Sequence, residues 1–194
     1  MIKNIALIYM GGTFGCVGDP LAPMPADLFI PKLEEVLAEQ HFVEYHQAPV
    51  IKDSSACTAT DWLQLVQFIQ QLQSRQIQHF VIIHGTDTLS YASAVLAHLI
   101  ADSAHVVLTG SQYPLLTAQG DQQREFSDAL DNLRFALDSV SSCSAGVYLA
   151  FHHRLLHAQT ALKQHTTELN AFSGLDASIA IPTGQTCYQV RAED

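Results

Sequence analysis

Basic residues are scarce in this chain. Nine lysines and arginines stand against 19 aspartates and glutamates among 194 residues, a formal charge of -10 that no local basic cluster offsets. That balance repels a phosphate backbone, so nucleic acid is not an expected partner. Long apolar runs are missing as well. The amino-terminal MIKNIALIYMGG is broken by glycines too early for a secretory signal, and no stretch approaches the ~20 apolar residues that span a bilayer. No membrane partner is expected, and the location read from these absences is cytoplasmic. Cysteine pairs are lacking too: Cys16, Cys57, Cys143 and Cys187 are widely spaced without a C-x-x-C, which points away from a zinc ribbon or dithiol centre and toward reduced, incidental thiols. His152, His153 and His157 form the one local histidine cluster. His153 and His157 would share a metal only on a helix, and they follow a strand-like run.

What is present is a core-forming pattern. The chain is 48% hydrophobic and only 14% charged, enough to bury a substantial interior. Apolar runs at 4–9, 43–48, 79–84, 105–110 and 145–151 read as five buried strands. Between them, 61–75 carries Leu65, Phe68, Ile69 and Leu72 at helical spacing, and 90–102 carries Ala94, Val95, His98 and Leu99. A third helix is expected over 126–140, with Phe126, Leu130, Leu133 and Leu137 inward, and a shorter Pro-initiated one over 31–40. Strand and helix alternate, so the expected fold is an α/β, open, mostly parallel doubly wound sheet with flanking helices. Residues 174–194 are short, mixed and punctuated by Pro and Gly, which suits a linker.

Small, hydroxyl-bearing and acidic residues gather where the strands end, the edge at which open parallel sheets bind ligands. GGTFG at 11–15 is neither a dinucleotide fingerprint nor a lysine-bearing phosphate loop. Its glycines would let backbone N–H groups approach a bound oxygen while presenting Thr13, the first nucleophile candidate. HGTDTLSY at 84–91 puts Thr86 and Asp87 at a strand terminus and Thr88 at a helix start, where free N–H groups favour an oxyanion. Helix capping is the rival explanation, but one cap does not account for Thr86, Asp87 and Thr88 in succession after a glycine. Capping is also the rival for Ser54 and Ser55, and Thr60, before Asp61 and Trp62, is read as filling it.

YMGGTFG, KDSSACTATDW, HFVIIHGTDTLSY, VVLTGSQYPL and ALKQHTTELNAF occur in this order over roughly residues 3–173. Together they resemble the bacterial L-asparaginase family, in the form of its cytoplasmic members. The resemblance implies an asparaginase N-terminal catalytic domain at 1–173, with 174–194 as a linker or the start of a C-terminal domain. It also implies hydrolysis of a side-chain amide without a cofactor, L-asparagine favoured over L-glutamine as the small-molecule substrate, and a homo-oligomer. Carried over by residue, Thr13 is the attacking threonine, and Thr86, Asp87 and Lys163 form a hydrogen-bonded triad that handles protons. Ser54, Ser55, Thr86, Asp87 and Ser111 line the substrate. Ser54 suits its α-carboxylate, Asp87 its α-ammonium, and Ser111 stands where the family touches the scissile amide.

The chemistry is consistent with that set. A threonine hydroxyl attacks only when a neighbour takes its proton, and the oxyanion needs fixed donors, here N–H groups around Gly12, Thr13 and Thr86. Lys163 accepts a proton only when neutral; burial favours that form and the Asp87 carboxylate the ammonium. Taken alone, Lys163 in ALKQHTTE reads as a solvated lysine.

Two departures from the family stand out. Family members carry a tyrosine in the mobile loop after GGT-x-G, whereas no tyrosine lies between Gly15 and Glu44 and Leu21 occupies the approximate place. The family's second domain, which packs beside a neighbouring subunit's active site, is not represented. An association-prone apolar face and weak or absent turnover are the resulting expectations. Cys16 and Cys57 lie in site loops, so their alkylation is expected to hinder ligand binding. A non-catalytic amino-acid-binding module is the alternative, and an ammonia-supplying subunit of a tRNA-dependent amidotransferase a more distant one.

Overall fold

The computed structural model describes residues 4–39 and 42–180. In chain order they form β1 (Ile5–Gly11), the short pair β2 (Cys16–Val17) and β3 (Ala22–Pro23), α1 (Ala26–Val36), β4 (Val43–Lys52), α2 (Ala59–Ser74), β5 (His79–Ile83), α3 (Leu89–Leu99), β6 (His105–Thr109), α4 (Ala129–Ser142), β7 (Gly146–Phe151), β8 (Arg154–His157) and the small pair β9 (Leu162–Lys163) and β10 (Phe172–Ser173).

Six strands make one sheet in the order β4-β1-β5-β6-β7-β8. All neighbours run parallel except β7 and β8, an antiparallel hairpin. Helices α2 and α3 cover one face with Leu65, Ile69, Leu89 and Leu96; α1 and α4 cover the other with Phe29, Leu33, Leu133 and Leu137. Both faces of β1 and β5 are therefore apolar, which explains why their sequences run without alternation. The chain leaves β1 toward β4 and returns past it to β5, so the winding reverses between β1 and β5. The chain segments leaving that point run to helices on opposite faces of the sheet, and in open parallel sheets such a reversal is where a ligand crevice forms at the strands' carboxyl ends.

Several details differ from the sequence reading; β4, expected as a buried strand over 43–48, lies at the sheet's edge, runs on to Lys52 and buries only Ala48. Helix α1 begins at Ala26 rather than 31, because Ala26, Phe29 and Leu33 already supply the inward stripe; Pro31 lies inside it on the solvent side. Helix α4 begins at Ala129, and Phe126 is 78% exposed, since Asp128 turns its carboxylate back to the N–H groups of Gln112 and Tyr113. On α3 the buried face is Leu89, Ala92, Ser93 and Leu96, with His98 exposed; a helix this apolar all round does not announce its inner side. Thr58, not Thr60, begins α2. The Asp61 carboxylate receives the Thr58 N–H at 2.7 Å and its hydroxyl at 2.8 Å, and Lys52 Nζ lies 2.8 Å away. Of the segment read as a linker, Leu175 and Ala177 hydrogen-bond along the edge of β8, while 181–194 lies outside the described residues.

The Thr58–Asp61–Lys52 cluster ties the start of α2 to the end of β4. Partial desolvation pushes the Asp61 carboxyl up, but the bonds from Lys52 and Thr58 outweigh it and hold the group below its ordinary value. A depressed folded-state value means stabilisation that is present above the ordinary carboxylate range and lost as pH falls. Asp61→Ala is expected to cost about 1–2 kcal/mol at neutral pH. Urea unfolding followed by circular dichroism should show that gap, and it should close as the pH drops below about 4. Equal stability at neutral pH would contradict the assignment.

Candidate active site

Three loops converge beyond the carboxyl ends of β1, β4 and β5. Gly12, with φ of 80°, lies so close to Gly85 that a methyl group on either would strike the other's backbone or the Ser54 side chain. Only glycine meets both demands, a left-handed backbone and no Cβ. The contact joins the loop that carries Thr13, the loop that carries Thr86 and Asp87, and the 3-10 turn Ser54–Ala56. Thr13 opens its own 3-10 turn and is half-buried. Thr88 completes the join by donating its hydroxyl to the Ser54 carbonyl at 2.8 Å.

Lys163 arrives from a remote segment. β9 pairs with β10 in the register Lys163 to Phe172, and Phe172 is anchored in the core, so the hairpin holds the lysine in place. Its Nζ donates to Thr86 Oγ1 at 2.9 Å and to Asp87 Oδ1 at 2.9 Å. Thr86 is 5% exposed, whereas the Asp87 side chain is 62% exposed, which leaves its second oxygen available to a ligand cation. Since Thr86 Oγ1 accepts from Nζ, its own hydroxyl proton is free for another partner.

The remaining expected residues divide. Ser54 is buried against the Gly12–Gly85 contact. Ser55 is exposed, and its N–H and hydroxyl both go to Asp53 Oδ1, which commits its donors to its own turn rather than to the crevice. Ser111 is buried and donates to the Tyr113 carbonyl at 2.6 Å. Gly110 abuts the His84 carbonyl and Thr86 Cγ2, which sets the Ser111 loop beside Thr86. Gln112 Nε2 donates to the carbonyls of Thr166 and Glu168, clasping that loop to the segment just after Lys163.

Several contributors escaped the sequence reading. Asp128 and Asn132 brace the Ser111 loop: Asp128 receives two backbone N–H groups, and Asn132 Nδ2 donates to the Gly110 carbonyl at 3.0 Å. Their setting, SDALDN at a helix start, looks like ordinary capping. His84 is 1% exposed, and burial pushes its imidazole below the ordinary value, partly opposed by its bond to the Gly85 carbonyl.

Other expectations are narrowed. Leu21 is 52% exposed at the tip of the β2–β3 hairpin, which is pinned by Gly18 N–H to the Ala118 carbonyl. Cys16 is buried and donates its thiol to the Gly12 carbonyl at 3.2 Å. Burial, with Asp53 adding to it, pushes that thiol up to about 11. Cys57 is half-buried and so the more accessible of the two, although burial pushes its thiol up as well. His152 and His153 sit in the β7–β8 turn and His157 ends β8, so the helical spacing that a shared metal required is absent. Among the described residues no group of three or more His, Cys, Asp or Glu is placed to hold a metal, and no helix is long and apolar enough to cross a membrane.

Comparison with known proteins follows the same outline. L-asparaginase 1 of Escherichia coli (strain K12) is 28% identical over 178 residues, covering 88% of this chain and 50% of that protein. A glutamyl-tRNA(Gln) amidotransferase subunit of Nanoarchaeum equitans is 26% identical over 197 residues, 95% of this chain and 48% of that one. The crystal structure of L-asparaginase I from Vibrio cholerae superposes with a TM-score of 0.74 at 29% identity, covering 94% of this chain and 53% of that one. The chain spans about half the length of the curated relatives it matches. A family model described as asparaginase, N-terminal, matches residues 4–190. With a match of that extent, the chain belongs to the asparaginase family.

Proposed function

We propose that this chain carries the nucleophile-bearing half of an amidohydrolase site, which cleaves the side-chain amide of L-asparagine to L-aspartate and ammonia. The observation that carries the reading is the position of Lys163 Nζ, 2.9 Å from both Thr86 Oγ1 and Asp87 Oδ1, in the crevice where Gly12 and Thr13 meet the same loop. A lysine 77 positions from its partner has no reason in local structure to be there.

In the proposed reaction Thr13 Oγ1 attacks the amide carbon, and backbone N–H groups near Gly12, Thr13 and Thr86 receive the oxyanion. The C–N bond breaks as the NH2 group takes up the proton that Thr13 gives up and leaves as ammonia, and an acyl-threonine forms. Water then cleaves the ester and restores the Thr13 hydroxyl. Asp87, exposed on one side, takes the substrate's ammonium, and Ser54 its carboxylate. Thr86, with its oxygen engaged by Lys163, passes its own proton to and from the reacting groups. Leu21 carries no group able to relay the Thr13 proton, so that step runs through water and turnover is low. The protein works in the cytoplasm as a homo-oligomer; exposed Leu162, Leu169 and Leu175 supply apolar surface for association.

A second reading has one specific likeness behind it, the amidotransferase component that 95% of this chain matches. Ammonia release from L-glutamine in preference to L-asparagine would favour that reading.

An ammonia-release assay with both amides tests the main proposal. Thr13→Ala should fall to background, and Lys163→Met should lose about 10²–10⁴-fold in kcat, the range of an acid–base contribution. Equal release by the parent chain and Thr13→Ala would remove Thr13 from the mechanism. Gly85→Ala should also be inactive, since its methyl must displace Ser54 or Gly12; near-normal turnover in that variant would show that the three-loop contact is dispensable.

A further inference from the structure

Behind the Thr86 loop lies a short chain of hydrogen bonds that the proposed reaction does not use. Trp62, the chain's one tryptophan, stands one residue beyond Asp61 in the first turns of α2. Its indole Nε1 donates to His84 Nε2 at 3.3 Å. An indole N–H is a donor only, so His84 Nε2 must be a bare acceptor. The ring is neutral, in accord with its burial, and carries its proton on Nδ1. That N–H then points at the Gly85 carbonyl, 2.8 Å away. Both ring nitrogens are thus used, and the tautomer follows from the partners.

The consequence falls on the next residue. In a trans peptide the carbonyl of one residue and the N–H of the next point to opposite sides of the bond. Drawing the Gly85 carbonyl inward to His84 therefore turns the Thr86 N–H outward, to the crevice. The same glycine has no side chain to resist rotation, so an external latch is needed to set the plane. Rigid anchors hold the latch at both ends. Trp62 is placed by the Thr58–Asp61–Lys52 cluster, and His84 by its backbone N–H to the Thr109 carbonyl at 2.9 Å.

We propose that His84, locked in its Nδ1–H form by Trp62, is a positioning residue that aims the Thr86 N–H at the oxyanion of the substrate. The assignment rests on the amidohydrolase reading for its chemistry, but the latch can be observed without turnover. It deals with charge that develops during reaction, so weakening it lowers kcat more than it raises KM.

The test uses the full chain and three variants. Histidine ¹⁵N–¹H spectra at neutral pH should show His84 with a proton on Nδ1 and a bare Nε2. Trp62→Phe, which removes the donor and keeps a ring, should mix in the other tautomer and speed exchange of the Thr86 amide. In the ammonia assay Trp62→Phe should lose about tenfold in kcat with KM within about twofold, a fraction of the ~10²–10³-fold for deleting an oxyanion donor outright. His84→Asn keeps a donor near the Nδ1 position, whereas His84→Leu keeps more bulk and no donor. The asparagine variant should retain more kcat than the leucine variant; the reverse order would mean that the histidine only fills space. A wild-type ring protonated on Nε2, or charged, overturns the proposal. If the parent chain releases no ammonia while the spectra behave as described, the latch stands and the reading of the reaction falls.

Discussion

The contact between Gly12 and Gly85 is the constraint on which the site depends. β1 and β5 pair in parallel from Ile5 with His79 to Tyr9 with Ile83, and β1 runs on two residues to Gly11, which brings Gly12 level with Gly85. The loops that leave them meet at the reversal of winding with no side chain between their backbones. Two interior strands buried on both faces make that meeting point hard to deform. The loops that carry Thr13 and Thr86 therefore leave a rigid edge of the sheet, and the Gly12–Gly85 contact between them sets their relative placement.

Around that fixed point, parts from farther along the chain are clasped on. Lys163 is carried by a two-stranded hairpin anchored through Phe172, and Gln112 ties the same segment to the Ser111 loop. Asp128 and Asn132 hold that loop from the start of α4. The Thr58–Asp61–Lys52 cluster sets the start of α2 and, with it, the indole that reaches His84. Apart from the Phe172 anchor, which is apolar packing, each clasp is a polar or charged interaction at a loop. That division suits a site whose scaffold must be rigid while its polar atoms must be oriented.

The interior strands β1, β5, β6 and β7 were legible because they are buried on both faces, and runs such as HFVII read as continuous apolar segments; β4, an edge strand, is mostly half-buried. The parallel order followed from their alternation with helices. Helix edges were less so: the start of α1 was misplaced because Pro31, which lies inside it, reads as a first helical residue, and that of α4 by Phe126, whose place outside the helix depends on Asp128 bonding to a loop 16 residues away. On α3 the pattern was too uniformly apolar to choose a face. In the site, Thr13, Thr86 and Asp87 could be picked out by their glycine neighbours and strand-end positions. Lys163 needed the family resemblance, because nothing within ALKQHTTE marks it. Ser55 was read as facing the ligand, though its local geometry turns it to Asp53. The Trp62–His84 bond left no periodic trace, since it joins two residues whose neighbourhood exists only after α2 docks beside β5.

Asp87 keeps one carboxylate oxygen open, while Lys163 is committed to Asp87 and to the Thr86 hydroxyl. Attack by the Thr13 hydroxyl is the central claim, and a covalent intermediate is its direct record. The chain should be acid-quenched during exposure to L-asparagine and mapped by peptide mass spectrometry. The account predicts an aspartyl ester on Thr13; an adduct on Thr86, or steady ammonia release with Thr13 never modified, would contradict it.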